Sequence, residues 1–180
     1  MRVRALLLCG LAAAAACSGK DPYKPGTALG SYHVQATHTA NTCGDQNVPP
    51  DPWKFEVKLS TDPGRLYWVQ GGLPVQGTLD AHANAVMTSS SSSTIHAANP
   101  KAGLGACSLT RRDTLTAALV ETTVATGDGS VEITVPSFTG TLHYSFAPDE
   151  GSDCADLVDS GAFANLPCEI GFSLSGTHAP

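Results

Sequence analysis

The chain has 180 residues, with 10 lysines and arginines against 16 aspartates and glutamates, and a formal net charge of −6. Nucleic acid and anionic lipid headgroups need a basic surface, so this balance makes both poor partners. The length suits one domain with a single core, and with only 6% aromatic residues the few large rings are needed to fill it.

The first elements belong to export. Met1-Arg2-Val3-Arg4 is a positive start, residues 5–16 are an unbroken run of apolar and small side chains, and Ser18-Gly19-Lys20-Asp21 returns to polar character. That is the three-part layout of a signal peptide. The apolar run is about a dozen residues, short of the roughly twenty that a helix needs to cross a bilayer.

Ala14-Ala15-Ala16-Cys17 resembles the lipobox of bacterial lipoprotein precursors, with Ala14 where that family usually carries Leu. The resemblance covers only the leader. It implies acylation of the Cys17 thiol, cleavage before it, and, because Ser18 rather than Asp follows, delivery to the outer membrane. Ordinary cleavage within the same alanines, leaving Cys17 unmodified, is the alternative. Either route removes Arg2 and Arg4 and leaves 8 of the 10 basic residues against 16 acids, a formal charge of −8. The organisation expected is a signal peptide over 1–16, a lipidated start and tether over 17–26, and one domain over 27–180.

From residue 27 onward, alternation dominates. Tyr32, Val34 and Ala36 share a face, and Trp53, Phe55, Val57 and Leu59 alternate with Lys54, Glu56 and Lys58. Asp62-Pro63-Gly64 is a turn leading into a strand over 65–69, which Gly71-Gly72 ends. Asp80, His82 and Asn84 are expected on one face of a strand, a spacing open to a metal but explained as well by a solvated polar face. Residues 89–93 are all serine, and with the Ala, Gly and Pro that follow they are expected to form a mobile loop.

Strand patterns resume at Leu115, Ala117 and Leu119, at Val131, Ile133 and Val135, at Leu142, Tyr144 and Phe146, and at Ile170, Phe172 and Leu174. Gly127-Asp128-Gly129 is a turn, and Pro136 predicts a bulge or break. Residues 152–163, with a cap at Ser152 or Asp153 and a stop at Gly161, are the one predicted helix, centred on 153–160. Asp149, Glu150, Asp153, Asp156 and Asp159 crowd that region. Without a calcium-loop pattern they read as exposed helix-start carboxylates. Gly-Thr pairs at 26, 77, 140 and 176 are too irregular for a repeat, and their glycines are expected to let strands bend or begin.

The fold class expected is all-β, an antiparallel meander closing into a lipocalin-like barrel or a strongly curled sandwich. The lipocalin comparison is architectural, since Gly30-Ser31-Tyr32 resembles only loosely that family's Gly-x-Trp opening. Four cysteines remain beyond the leader and Cys17: Cys43, Cys107, Cys154 and Cys168. Export favours disulfides among them, and of three connectivities the pairing Cys154 with Cys168 and Cys43 with Cys107 is preferred for its short first loop. Zinc lacks any Cys-x-x-Cys or His-x-x-x-His spacing.

No nucleophile elbow, His-Glu-x-x-His, phosphate loop or dinucleotide fingerprint appears, so neither catalysis nor a cofactor is expected. His33, His143 and His178 fall on solvent parity, and His38 on apolar parity near a strand end. Two classes of function are left: a barrel for a small apolar ligand lined by Trp53, Phe55, Tyr67, Trp68, Tyr144 and Phe172, or an envelope lipoprotein that contacts other proteins. With so few aromatics in the chain, the same six rings are needed simply to fill the core.

Overall fold

The computed structural model describes residues 25–180 apart from Asn47 and Asp128. The leader, Cys17 and most of the tether lie outside the described residues. Eight strands follow in chain order: β1 (Thr27–Asn41), β2 (Trp53–Asp62), β3 (Arg65–Val69), β4 (Val75–Leu79), β5 (Asn84–His96), β6 (Cys107–Ala125), β7 (Val131–Pro148) and β8 (Cys168–His178). Each pairs antiparallel with the next, and β8 pairs back onto β1, so the meander closes into a barrel. Closure leaves no sheet edge over the paired stretch.

The period-two pattern decides what faces inward. Tyr32, Val34 and Ala36 are buried while His33, Gln35 and Thr37 are exposed, and Val57 and Leu59 are buried while Lys54, Glu56 and Lys58 are exposed. Apolar side chains fill the ring and polar ones coat it, the inverse of a lipid-facing barrel. The lower interior is solid. Tyr32, Phe138, Leu59 and Leu66 are fully buried, and the Tyr32 hydroxyl donates to the Val135 carbonyl at 2.7 Å. Gly176 makes room for this packing, since a Cβ there would overlap the Phe138 ring. Gly77 does the same for Met87, so close approach is a function of these Gly-Thr pairs.

Several expectations hold in detail. Asp62 and Arg65 pair across the Pro63-Gly64 turn. The predicted bulge is at Pro136: Val120 pairs with Ser137 and Thr122 with Thr134, so Val135 and Pro136 oppose Glu121 alone.

Others need correction. Residues 89–93 are strand, not loop, paired from Ser89 with Asp113 to Ser93 with Leu109. A run of one residue type has no hydrophobic period, so only its neighbour β6 reveals it as a strand. Asp80, His82 and Asn84 do not share a strand face. They form the β4–β5 turn, where Asp80 Oδ1 accepts from the backbone amides of His82 and Asn84 at 2.8 Å each. These bonds hold the Asp80 carboxyl below its usual pKa, and the side chain is occupied as a turn former. The helix α1 is shorter than expected, Ala155–Asp159.

The preferred disulfide pairing is also overturned. Cys43 bonds Cys168, and Cys107 bonds Cys154. Barrel closure explains the first. Asn41 pairs with Ile170, and the Thr42 amide donates to the Glu169 carbonyl, which brings Cys43 to the start of β8. The second follows from β6–β7 pairing, continued by the Asp153 amide donating to Ala106. Short loop length favoured partners adjacent in sequence, whereas the sheet brings together partners separated by 125 and 47 residues.

Candidate functional site

The barrel has two unlike ends. One carries the described chain's entry at Thr27 and the turns at 62–65, 79–84 and 125–131. The other, the mouth, carries the long connections, α1 and both disulfides. The wall at the mouth is uneven, because β3 and β4 have only 5 residues each while β5, β6 and β7 run on past them. A notch results above β3 and β4.

A cavity of about 190 Å³ sits in this notch. Its floor is apolar, formed by Trp68, Met87, Leu115 and Leu142, and its lip is Gln70, Leu73 and Val75. The remaining wall is polar: Ser89 from β5, Arg111 and Asp113 from β6, and Tyr144 from β7. Strand geometry puts Arg111 and Asp113 there. They lie in the same row as Leu109, Leu115, Ala117 and Leu119, which is the inward row of β6. Asp113 pairs across the ladders with both Ser89 and Tyr144, so the three side chains meet on the inner face.

Arg111 and Asp113 form a two-pronged ion pair, Nε to Oδ1 at 2.7 Å and Nη2 to Oδ2 at 2.9 Å. The guanidinium lies 4.4 Å from the centre of the Tyr144 ring, a cation–π distance. The carboxylate beside it raises the Arg111 pKa further, and burial raises that of Tyr144, so at neutral pH Arg111 is charged and Tyr144 protonated. Asp113 engages two of the five N–H donors of a guanidinium. The wall therefore offers further donors at Arg111, an acceptor at Asp113 and hydroxyls at Ser89 and Tyr144, with almost no net charge.

Five of the six expected ligand residues come together as a chain of rings around the inner wall. Trp68 meets Phe55 at 6.4 Å, Phe55 meets Trp53 at 4.3 Å, Trp53 meets Phe172 at 5.9 Å, and Phe172 meets Tyr144 at 6.0 Å. Of these, Trp68 and Tyr144 line the cavity. Trp53, Phe55 and Phe172 pack beside it. Tyr67 is not part of the set. It pairs with Ser60 and Gln76 on the outer parity, and its hydroxyl donates to Asp62 Oδ2 at 3.1 Å. Arg111, Asp113 and Ser89 were missed in the sequence; the signal available was two charges continuing the Leu115-Ala117-Leu119 row upstream.

Several other titratable groups have structural partners. Asp149 accepts from Ser92 and Thr110, which lowers its pKa. Asp156 bonds His96 Nε2 at 3.1 Å, which raises the imidazole pKa. His143 meets Glu169 at 3.0 Å, and His38 stacks on Phe172 at 4.7 Å with Nε2 buried and unbonded. Among the described residues no group of three or more His, Cys, Asp or Glu gathers to hold a metal, and no helix is long and apolar enough to cross a membrane. No protein-family model, no curated protein and no solved structure matches the chain.

Proposed function

We propose that this protein is an acylated envelope lipoprotein of the outer membrane whose barrel binds a small amphipathic molecule in the notch. The observation that carries the ligand reading is the Arg111–Asp113 pair, placed in an inward row whose other members are apolar. A half-buried ion pair contributes little stability, so packing alone gives poor reason to put one there. Above a floor of Trp68, Met87, Leu115 and Leu142 it has a use: it orients the polar end of a molecule whose apolar end rests on the floor. The cavity is smaller than drug-sized sites of roughly 300–1,000 Å³, which points to a fragment-sized ligand or to one end of a longer chain.

The envelope reading is supported by the leader, by the lipobox-like Ala14-Ala15-Ala16-Cys17, and by two disulfides of the kind that oxidising compartments preserve. A second reading, capture of a partner protein's side chain, is favoured by Leu73, which stands on the lip 69% exposed.

Native mass spectrometry of the full mature chain, purified from its own membranes, tests both parts. The expected spectrum shows an acyl-modified Cys17 start and a bound small molecule that Arg111→Met loses. A bare polypeptide mass, identical in both variants apart from the substitution, refutes the ligand; an unmodified Cys17 refutes the anchor.

A further inference from the structure

We propose that the hairpin joining β6 and β7 is a second, weak membrane contact that rests the barrel against the lipid surface at the end where the chain enters it. This rests on the reading of Cys17 as acylated. Beyond the pair Ser137–Thr177, β7 no longer pairs with β8, and beyond Asn84–Ala118, β6 no longer pairs with β5. The two strands continue alone through Thr122–Thr134, Thr123–Ile133, Val124–Glu132 and Ala125–Val131. Six residues at about 3.3 Å each carry this ribbon roughly 20 Å beyond the last β7–β8 pair, with Ala28, Leu29 and His178 beside its base.

Its sequence is wrong for water. Val131 is 66% and Ile133 62% exposed, although both continue the row of the buried Val135. The register places Ile133 beside Thr123 and Val131 beside Ala125, sends Glu132 to the opposite face and leaves Glu121, at the base, as the one charge in their row. An isolated two-stranded ribbon is marginal in water, and β-branched aliphatic residues on it gain nothing until a surface covers them.

The position of the chain's entry selects a bilayer as that surface. β1 begins at Thr27 at the same end as the ribbon, and Thr27 lies ten residues on from Cys17. Fully extended, they span at most about 35 Å, so an acyl chain on Cys17 keeps the membrane within the ribbon's reach. Two or three aliphatic side chains bind lipid weakly by themselves, and a tether raises their effective concentration at the surface. Glu121 and Glu132 on the ribbon argue for zwitterionic rather than anionic headgroups.

The test places the acylated full chain carrying Ile133→Trp in phosphatidylcholine vesicles containing brominated acyl chains. The proposal expects the added tryptophan to shift to the blue and to lose at least half its emission, while Trp53, at the mouth, and Trp68, buried inside the barrel, keep theirs. Adding Val131→Glu should abolish that quenching with the protein still bound to vesicles. Vesicle-bound protein whose Trp at 133 emits as in water overturns the membrane contact and leaves the anchor standing. A blue shift without quenching that grows with protein concentration overturns it in favour of a second copy. Protein that does not float with the vesicles at all removes the anchor and the contact together.

Discussion

At the mouth, β5, β6 and β7 stand in a web of cross-links; at the entry end, β6 and β7 stand alone. The mouth has Cys107 bonded to Cys154, Cys43 bonded to Cys168, Asp149 bridging Ser92 and Thr110, and His96 reaching Asp156 on α1. The entry-end ribbon has its own ladder, the root contact of Tyr32 with Val135 and the start of β1 beside its base, and no disulfide among the described residues. Each end also inverts the barrel's rule of apolar inside and polar outside. Arg111 and Asp113 carry charge along the inward row, and Val131 and Ile133 carry that row's apolar character into solvent. Local rules broken in a chain that otherwise obeys them mark positions where something other than folding is served.

If the mouth is the reinforced end, its staples dominate stability. Replacing Cys43 and Cys168 by Ala opens a closed loop of 125 residues, and the chain-entropy argument assigns this a loss of about 5 kcal/mol. Opening the 47-residue loop of Cys107 and Cys154 loses about 4 kcal/mol on the same argument. The loops are nested, so each bridge shortens the loop the other closes; each single deletion should cost somewhat less than its isolated figure and the double deletion more than the two singles together, and denaturant unfolding of the three variants checks this. Phe138→Ala, which empties the space over Gly176, should lower stability by about 3–5 kcal/mol. An intact melting curve there would show that the solid lower core is not what holds the ring.

Smaller effects, both at the mouth, follow pH with opposite signs. The Asp156 carboxylate raises the pKa of His96, so this contact stabilises the folded chain below the ordinary imidazole range and is lost as pH rises through the raised value. Asp149 has the opposite sign. Its hydrogen bonds lower its pKa, so its contribution is present above the ordinary carboxylate range and disappears as pH falls through the lowered value. Histidine NMR titration of Asp156→Asn should move His96 down. The least effect belongs to the ribbon: Val131→Thr with Ile133→Thr should change stability by no more than about 0.5 kcal/mol in lipid-free solution. A larger loss would mean that these side chains are packed.

The strands were legible because a half-buried strand writes its geometry into alternation, as Trp53 to Leu59 and Ile170 to Leu174 show. Pro136 announced its bulge for an equally local reason. What alternation does not encode is the neighbour. The serine strand at 89–93, the disulfide partners and the exposure of Val131 and Ile133 all depend on which strand lies alongside, and closure of the ring sets that. The candidate site was half legible. Its rings stand out by being large and few, Tyr67 takes the outer row because Leu66 and Trp68 on either side of it take the inward one, and Arg111 and Asp113 were missed because charges were not sought on an apolar parity.

Hydrogen exchange of the mature protein, as purified from its membranes and again after ligand is stripped by denaturation and refolding with the disulfides intact, tests the central claim most directly. The account predicts faster exchange after stripping around Trp68 to Leu73, Arg111 to Leu115 and Leu142 to Tyr144, with residues 120–125 and 131–136 unchanged. Identical protection in the two samples, or a change confined to the ribbon, would contradict it.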